Sequence, residues 1–272
     1  MRKIGEKESR EGKMKTIIYY FSGTGNNLFI AKQIAKNLPG TEIRPIRELE
    51  KNKEIQNCYD WVGYIGPSYF SHIPPYMMSC MEGVKYAEHQ KIFLVCGCGG
   101  NRGMAIQDMR QQVNASGKES SLEYMVIQPG NYILSYGAFP DIYQKLTCLI
   151  ANRKVKKIAE DIQNNRNRKN LKPGIFYKDS SEERLQKSIA DFSAIGKQYQ
   201  VNDKCIGCGM CEKVCPVGNI TIKEGKVIFG DHCNQCMACI QWCGQRAIHF
   251  DEKEEKRKRY HNSNISASEL WR

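Results

Sequence analysis

The chain has 272 residues with 41% hydrophobic and 26% charged side chains, a balance that excludes collagen-like, mucin-like and wholly disordered proteins. Its net charge of +12 does not by itself indicate nucleic-acid binding, because half of it lies in 151–200, where twelve basic residues face six acidic ones and few aromatics are placed to stack on bases. No apolar run approaches the roughly 18 residues needed to span a bilayer, and residues 1–13 are charged without an apolar segment, so a cytoplasmic protein with no membrane span is expected.

In chain order, residues 1–13 read as a disordered extension, and Met14, directly before the first apolar run, as the natural start. The stretch 14–127 alternates short apolar runs with amphipathic segments, the pattern of a parallel sheet with crossover helices. Strands are predicted at 16–21, 42–46, 61–66, 91–96 and 122–127. Helices are predicted after the first strand, where Leu28, Ala31, Ile34, Ala35 and Leu38 share a face, and at 76–82 and 104–114. Five strands in this rhythm give a doubly wound α/β domain.

Residues 128–200 read as a helical connector. One helix spans 142–162, followed by the breakers Pro173 and Gly174. A second begins at a capping box of Ser180 and Glu183, carries Leu185, Ile189, Phe192 and Ile195 on one face, and closes at Gly196. The basic run within it (Arg153, Lys154, Lys156, Lys157, Arg166, Arg168, Lys169) is either a solvated helix face or a docking patch for an acidic redox partner. Residues 251–272 lack a core pattern and read as a loosely packed tail.

Cysteine spacing carries the strongest signal. Eight of the 13 cysteines fall in 205–243, as Cys205, Cys208, Cys211 and Cys215, then Cys233, Cys236, Cys239 and Cys243, each recurring at an offset of 28 residues. Clustered cysteines of odd total without a leader point to metal ligation, not to a disulfide framework. A doubled C-x2-C-x2-C-x3-C run binds two 4Fe-4S clusters, the fourth cysteine of each run serving the other cluster. That rule pairs Cys205, Cys208 and Cys211 with Cys243, and Cys233, Cys236 and Cys239 with Cys215. Zinc is the alternative, but zinc sites use paired C-x2-C hooks on longer spacers. His232 and His249 read as hydrogen-bonding or surface residues beside a complete thiolate set. Residues 200–250 resemble the dicluster ferredoxins, an α+β fold, through 203–208 and Val214-Cys215-Pro216, departing at Gly244, where that family has proline.

The turn after the first strand, Ser22-Gly23-Thr24-Gly25-Asn26-Asn27, offers hydroxyls, an amide and backbone N–H groups at a helix start, a cradle for one phosphate with no lysine for more. A plain strand-to-helix turn is the alternative. The loop resembles the FMN phosphate loop of flavodoxins, with Asn27 where they have threonine, and that likeness extends over 14–127. Two loops at the carboxyl ends of the third and fourth strands fall where flavodoxins enclose the flavin ring. These are Pro67-Ser68-Tyr69-Phe70 and Gly97-Cys98-Gly99-Gly100-Asn101. Tyr69 or Phe70 is expected to stack on the ring unless it is a core residue, and Cys98, exposed in its glycine loop, is either a redox-active thiol or a neutral lining residue. Cys58, Cys80, Cys96 and Cys148 read as small buried hydrophobes.

The whole arrangement over 14–250 resembles the flavodoxin–ferredoxin fusion proteins of anaerobic bacteria known as EFR-family ferredoxins. The resemblance implies electron transfer between FMN and two 4Fe-4S clusters, with redox proteins as partners. The alternatives are a flavin-dependent reductase of a small acceptor and a redox or iron sensor.

Overall fold

The computed structural model describes residues 14–174 and 194–271. The predicted extension at 1–13 and the second connector helix, apart from helical residues 194–196, lie outside the described residues.

Five strands form one parallel sheet: β1 (Thr16–Tyr20), β2 (Thr41–Pro45), β3 (Trp61–Pro67), β4 (Lys91–Cys98) and β5 (Ser120–Ile127), in the order β2-β1-β3-β4-β5. This is the flavodoxin-like doubly wound order, which places its ligand crevice at the carboxyl ends of β1 and β3. Every strand predicted from the sequence is present within a few residues of its expected ends. The helices are α1 (Asn26–Asn37), α2 (Glu48–Lys51), α3 (Pro75–Met81), α4 (Ala105–Ala115) and α5 (Asp141–Gln163). The sequence reading missed α2, a single turn too short to show a period.

Side-chain alternation along β1, β3 and β4 sorts the core into two layers. Ile18, Tyr20, Trp61, Ile65, Phe93 and Val95 pack with α1 and α5, whereas Ile17, Tyr19, Val62, Tyr64, Ile92 and Leu94 pack with α3 and α4. Helix α5 therefore corrects the expectation of a connector. Its Ala151, Val155, Ile158, Ala159 and Ile162 are buried against the sheet, so it completes the outer layer of the α/β domain. The sequence showed the helix, but a helical period does not say which surface the apolar stripe meets.

Much of the basic run is also committed within the fold. Lys157, Arg166 and Arg168 converge on the buried carboxylate of Asp161, Lys169 pairs with Glu119, and Lys154 lies over the Tyr124 ring at 5.4 Å. Burial alone would raise the Asp161 carboxyl, but the Tyr124 hydroxyl and the three cations hold it below the ordinary carboxylate range.

The cysteine-rich region adds β6 (Gln200–Val201), α6 (Met210–Val214), the hairpin β7 (Ile220–Lys223) and β8 (Lys226–Phe229), α7 (Ala238–Gln241) and β9 (Ile248–His249). Val214, Val217, Ile220, Met237, Ala238 and Ile240 belong to the same apolar cluster as the α3/α4 layer of the sheet. The two regions thus share a core. Residues 251–271, read from the sequence as a loose tail, are packed as well: Tyr260, Asn262, Ile265 and Leu270 are buried. The segment forms α8 (Glu252–Glu255) and a 3-10 turn at Ala267–Leu270, with a reciprocal Ser266/Glu269 capping box. Its apolar residues are too widely spaced to register as a period. Among the described residues, no helix is long and apolar enough to cross a membrane.

Candidate functional site

A cavity of about 260 Å³ opens at the carboxyl ends of β1, β3, β4 and β5. Of the predicted residues, Ser22, Gly23, Thr24, Asn26, Asn27, Pro67, Ser68, Tyr69, Phe70, Gly97, Cys98 and Gly99 line it. Gly25, Gly100 and Asn101 do not. Gly25 is left-handed (φ 91°) with the Ile265 side chain packed over it, and the Asn101 carboxamide accepts the Gly103 N–H. The sequence reading missed Gln128, Pro129, Gly130, Asn131, Tyr132, Tyr136 and Gln235, because the first six follow the last strand and the seventh comes from the cysteine region.

The loop at 22–27 is held from several sides. Ser22 Oγ accepts the Gly25 N–H at 3.1 Å, and Thr24 Oγ1 accepts from Asn131 at 2.5 Å. The Asn26 carboxamide is engaged within the protein, donating to the Pro129 carbonyl at 3.0 Å and accepting from the Tyr260 hydroxyl at 2.6 Å, so this side chain secures the loop. Asn27 donates to the Phe21 carbonyl at 2.9 Å. Its Oδ1, together with both amide atoms of the buried Gln128, has no hydrogen-bond partner among the described residues. Buried polar atoms left this way cost of the order of 1–3 kcal/mol each unless a ligand meets them.

The rim is aromatic. Phe70 and Tyr132 meet edge to face at 5.3 Å, and Tyr69 packs edge-on to Phe21 at 6.2 Å. Burial, with the nearby Cys236 thiol, pushes the Tyr69 hydroxyl well above its ordinary range. Cys98 is buried, not exposed in a loop, because β4 runs on through it. A hydrogen bond from Cys96, followed by the Gly100 N–H and the charge of Arg102, lowers its thiol below the ordinary value against the opposing effect of burial. Cys80 and Cys96 are buried as expected, Cys148 is half-buried and Cys58 is exposed.

The eight clustered cysteines surround two smaller voids of about 20 Å³ each. Cys205, Cys208, Cys211 and Cys243 line one, the far foursome; Cys215, Cys233, Cys236 and Cys239 line the other, the near foursome. Among the described residues, no three His, Cys, Asp or Glu side chains gather about a point that a single ion would fill. Instead each foursome rings a space.

The 28-residue repeat extends to the backbone. Residues 207, 209 and 218 are left-handed, and so are 235, 237 and 246; glycine serves all three positions in the first run, whereas Gln235, Met237 and Arg246 serve them in the second. A non-glycine residue held left-handed costs of the order of 1 kcal/mol, so the local geometry is imposed by its surroundings. The N–H groups of Asn219 and Ala247, also 28 apart, point at Cys215 Sγ and Cys243 Sγ at 3.2 and 3.3 Å. Such bonds tune cluster potential. Burial, reinforced by neighbouring thiolates, pushes the Cys211 and Cys233 thiols up to about 11. A cationic centre between the sulfurs reverses that balance, the donor chemistry that iron–sulfur ligation requires.

The two sites adjoin. A Cβ on Gly23 would stand 2.3 Å from the Cys236 carbonyl oxygen, so only glycine allows the loop this close to the near foursome. Trp242 Nε1 donates to the Gly23 carbonyl at 2.9 Å, Gln241 to the Asn131 carbonyl at 2.9 Å, and the Tyr132 hydroxyl to Gln235 at 3.1 Å. His232 is exposed beside Asp231, and His249 pairs through the backbone in β9; neither lines a cysteine void.

A 4Fe-4S binding domain model matches residues 199–221. A component of an ion-translocating oxidoreductase complex from Methanosarcina acetivorans is 47% identical over 45 residues, 16% of this chain and 17% of that protein. A ferredoxin from Acetoanaerobium sticklandii is 48% identical over 31 residues, 11% of this chain and 55% of that one. The chain thus spans less than two thirds of these relatives. Among solved structures, Megasphaera elsdenii flavodoxin aligns with a TM-score of 0.30 and 15% identity, covering 52% of this chain and 98% of that one. By its strand order and its cysteine module, the chain joins a flavodoxin-like α/β fold to a 4Fe-4S ferredoxin domain.

Proposed function

We propose that the protein is an iron–sulfur flavoprotein that passes electrons between two 4Fe-4S clusters, one in each cysteine foursome, and FMN in the cavity above β1, β3 and β4. The observation that carries this reading is the contact of Gly23 with Cys236, which joins the phosphate loop to a cluster-ligand loop. FMN suits the cavity: Ser22, Thr24 and the free N–H groups of the first turn of α1 meet one phosphate. The unpartnered amide of Gln128 and Asn27 Oδ1 meet polar groups of the ribityl chain and ring, and Tyr69, Phe70 and Tyr132 supply apolar walls. Clusters carry single electrons and a flavin one or two, so their union converts between the two kinds of chemistry.

In anaerobic stopped-flow measurements, flavin bleaching should follow cluster reduction at a rate independent of protein concentration. A rate rising in proportion to concentration would show transfer by collision and end the reading. The phosphate assignment has its own check. FMN should bind more tightly than riboflavin, and Thr24→Ala, which also frees Asn131, should weaken FMN by roughly 1–3 kcal/mol. Equal affinity for riboflavin and FMN would show that the loop has another role.

A second reading, reduction of a small acceptor at the flavin, is favoured by the rim of Phe70 and Tyr136, which are 48% and 39% exposed. Steady-state turnover with a quinone or nitroaromatic acceptor distinguishes it from pure carriage.

A further inference from the structure

The two cysteine foursomes stand in different relations to the flavin cavity. The near foursome reaches it: Gln235, between ligands Cys233 and Cys236, lines the cavity wall, and Gly23 lies against the Cys236 backbone. Trp242 fixes this approach through its bond to the Gly23 carbonyl. No cysteine of either foursome lines the cavity, and the difference lies in the residues between them: Gln235 does, whereas none of the residues between Cys205 and Cys211 does. The far foursome faces outward, with Cys208 exposed and Ile206, on the wall of its void, 68% exposed. The foursomes meet through Cys211 and Cys239, which are close enough to interact electrostatically, and through the contact of α6 with α7.

We propose that the cluster of the near foursome exchanges electrons with the flavin and that the cluster of the far foursome is the port to an external one-electron carrier protein. The order follows because electron tunnelling falls steeply with distance and because, among the described residues, the far group alone has an exposed cysteine, Cys208, where a carrier can approach. This ordering rests on the electron-transfer function proposed above and adds a direction of connection to it. In the reducing sense, an electron lost by the external carrier is gained at the far foursome, passes to the near foursome and then to the flavin. Two such passages, with protons from water, complete a two-electron reduction. The opposite flow uses the same order reversed.

The test uses the holoprotein, reconstituted anaerobically with iron, sulfide and FMN, and an iron chelator as probe. Iron should leave in two phases of equal size, the faster from the exposed far foursome. FMN at tenfold its Kd should slow only the second phase, by about tenfold, because it binds the form with the near cluster intact. Ile206→Glu, which keeps every ligand, should change only the first phase, leave the FMN Kd unchanged, and slow reduction of the protein by reduced ferredoxin several-fold. FMN protection of the phase that Ile206→Glu alters, equal protection of both phases, or unchanged reduction by ferredoxin in Ile206→Glu would overturn the order. Failure of FMN to bind at all would instead overturn the proposed function, so the two failures are distinguishable.

Discussion

Protein assembled and purified anaerobically should contain about eight irons and eight sulfides per chain, the content of two 4Fe-4S clusters on eight thiolates. The crossover makes this more than a count. Cys215 stands in the first sequence run but lines the void shared by Cys233, Cys236 and Cys239. Cys215→Ala should therefore take the iron content to about half, with the surviving cluster held by Cys205, Cys208, Cys211 and Cys243. Iron and sulfide analysis with low-temperature EPR of the reduced protein reads both outcomes. The same substitution removes the acceptor of the Asn219 N–H, so loss of the near cluster should be complete and not partial. Zinc in place of iron would contradict the cluster assignment. Loss confined to the far foursome would contradict the crossover.

The second large effect is expected from the C-terminal segment. Deletion of 259–272 removes Tyr260, Ile265 and Leu270, each at most 5% exposed, and the Arg259 side chain that donates to the Ile240 and Ile248 carbonyls. Burial of three such side chains stabilises by roughly 5 kcal/mol in total, comparable with the whole margin of a typical domain. The deletion also frees Asn26 Oδ1 and the Thr24 carbonyl, which accepts the Asn262 N–H at 2.8 Å. A fall in Tm of more than 10 °C, with weaker FMN binding, is the expected result. A milder variant separates folding from the loop: Ile265→Ala, which uncovers Gly25, should cost about 2–4 kcal/mol. An unchanged Tm for the deletion would mean that the segment contributes nothing to the folded state.

The packing of this segment also explains how the sequence reading went astray there. Tyr260, Asn262, Ile265 and Leu270 fall at no helical or strand period, since the chain runs as a strap whose contacts are spread over α1, the 22–27 loop and the cysteine region. Local pattern detects an element that presents a repeating face. It is silent on a segment whose fit is set by the surface beneath it.

The same distinction divides the rest of the molecule. Sequence by itself determined the strands and the long helices, because alternation and the 3.6-residue period follow from backbone geometry. It also determined the grouping of the cysteines, because a 28-residue repeat is a property of the chain alone. Tertiary structure decided the placement of α5 on the sheet, the convergence of Lys157, Arg166 and Arg168 on Asp161, and the contribution of Gln128 and Gln235 to a cavity begun over a hundred residues earlier. It alone brought Gly23 against Cys236. Contacts between residues so far apart in the chain leave no local signature, since they arise only when separate elements bury their apolar faces against one another.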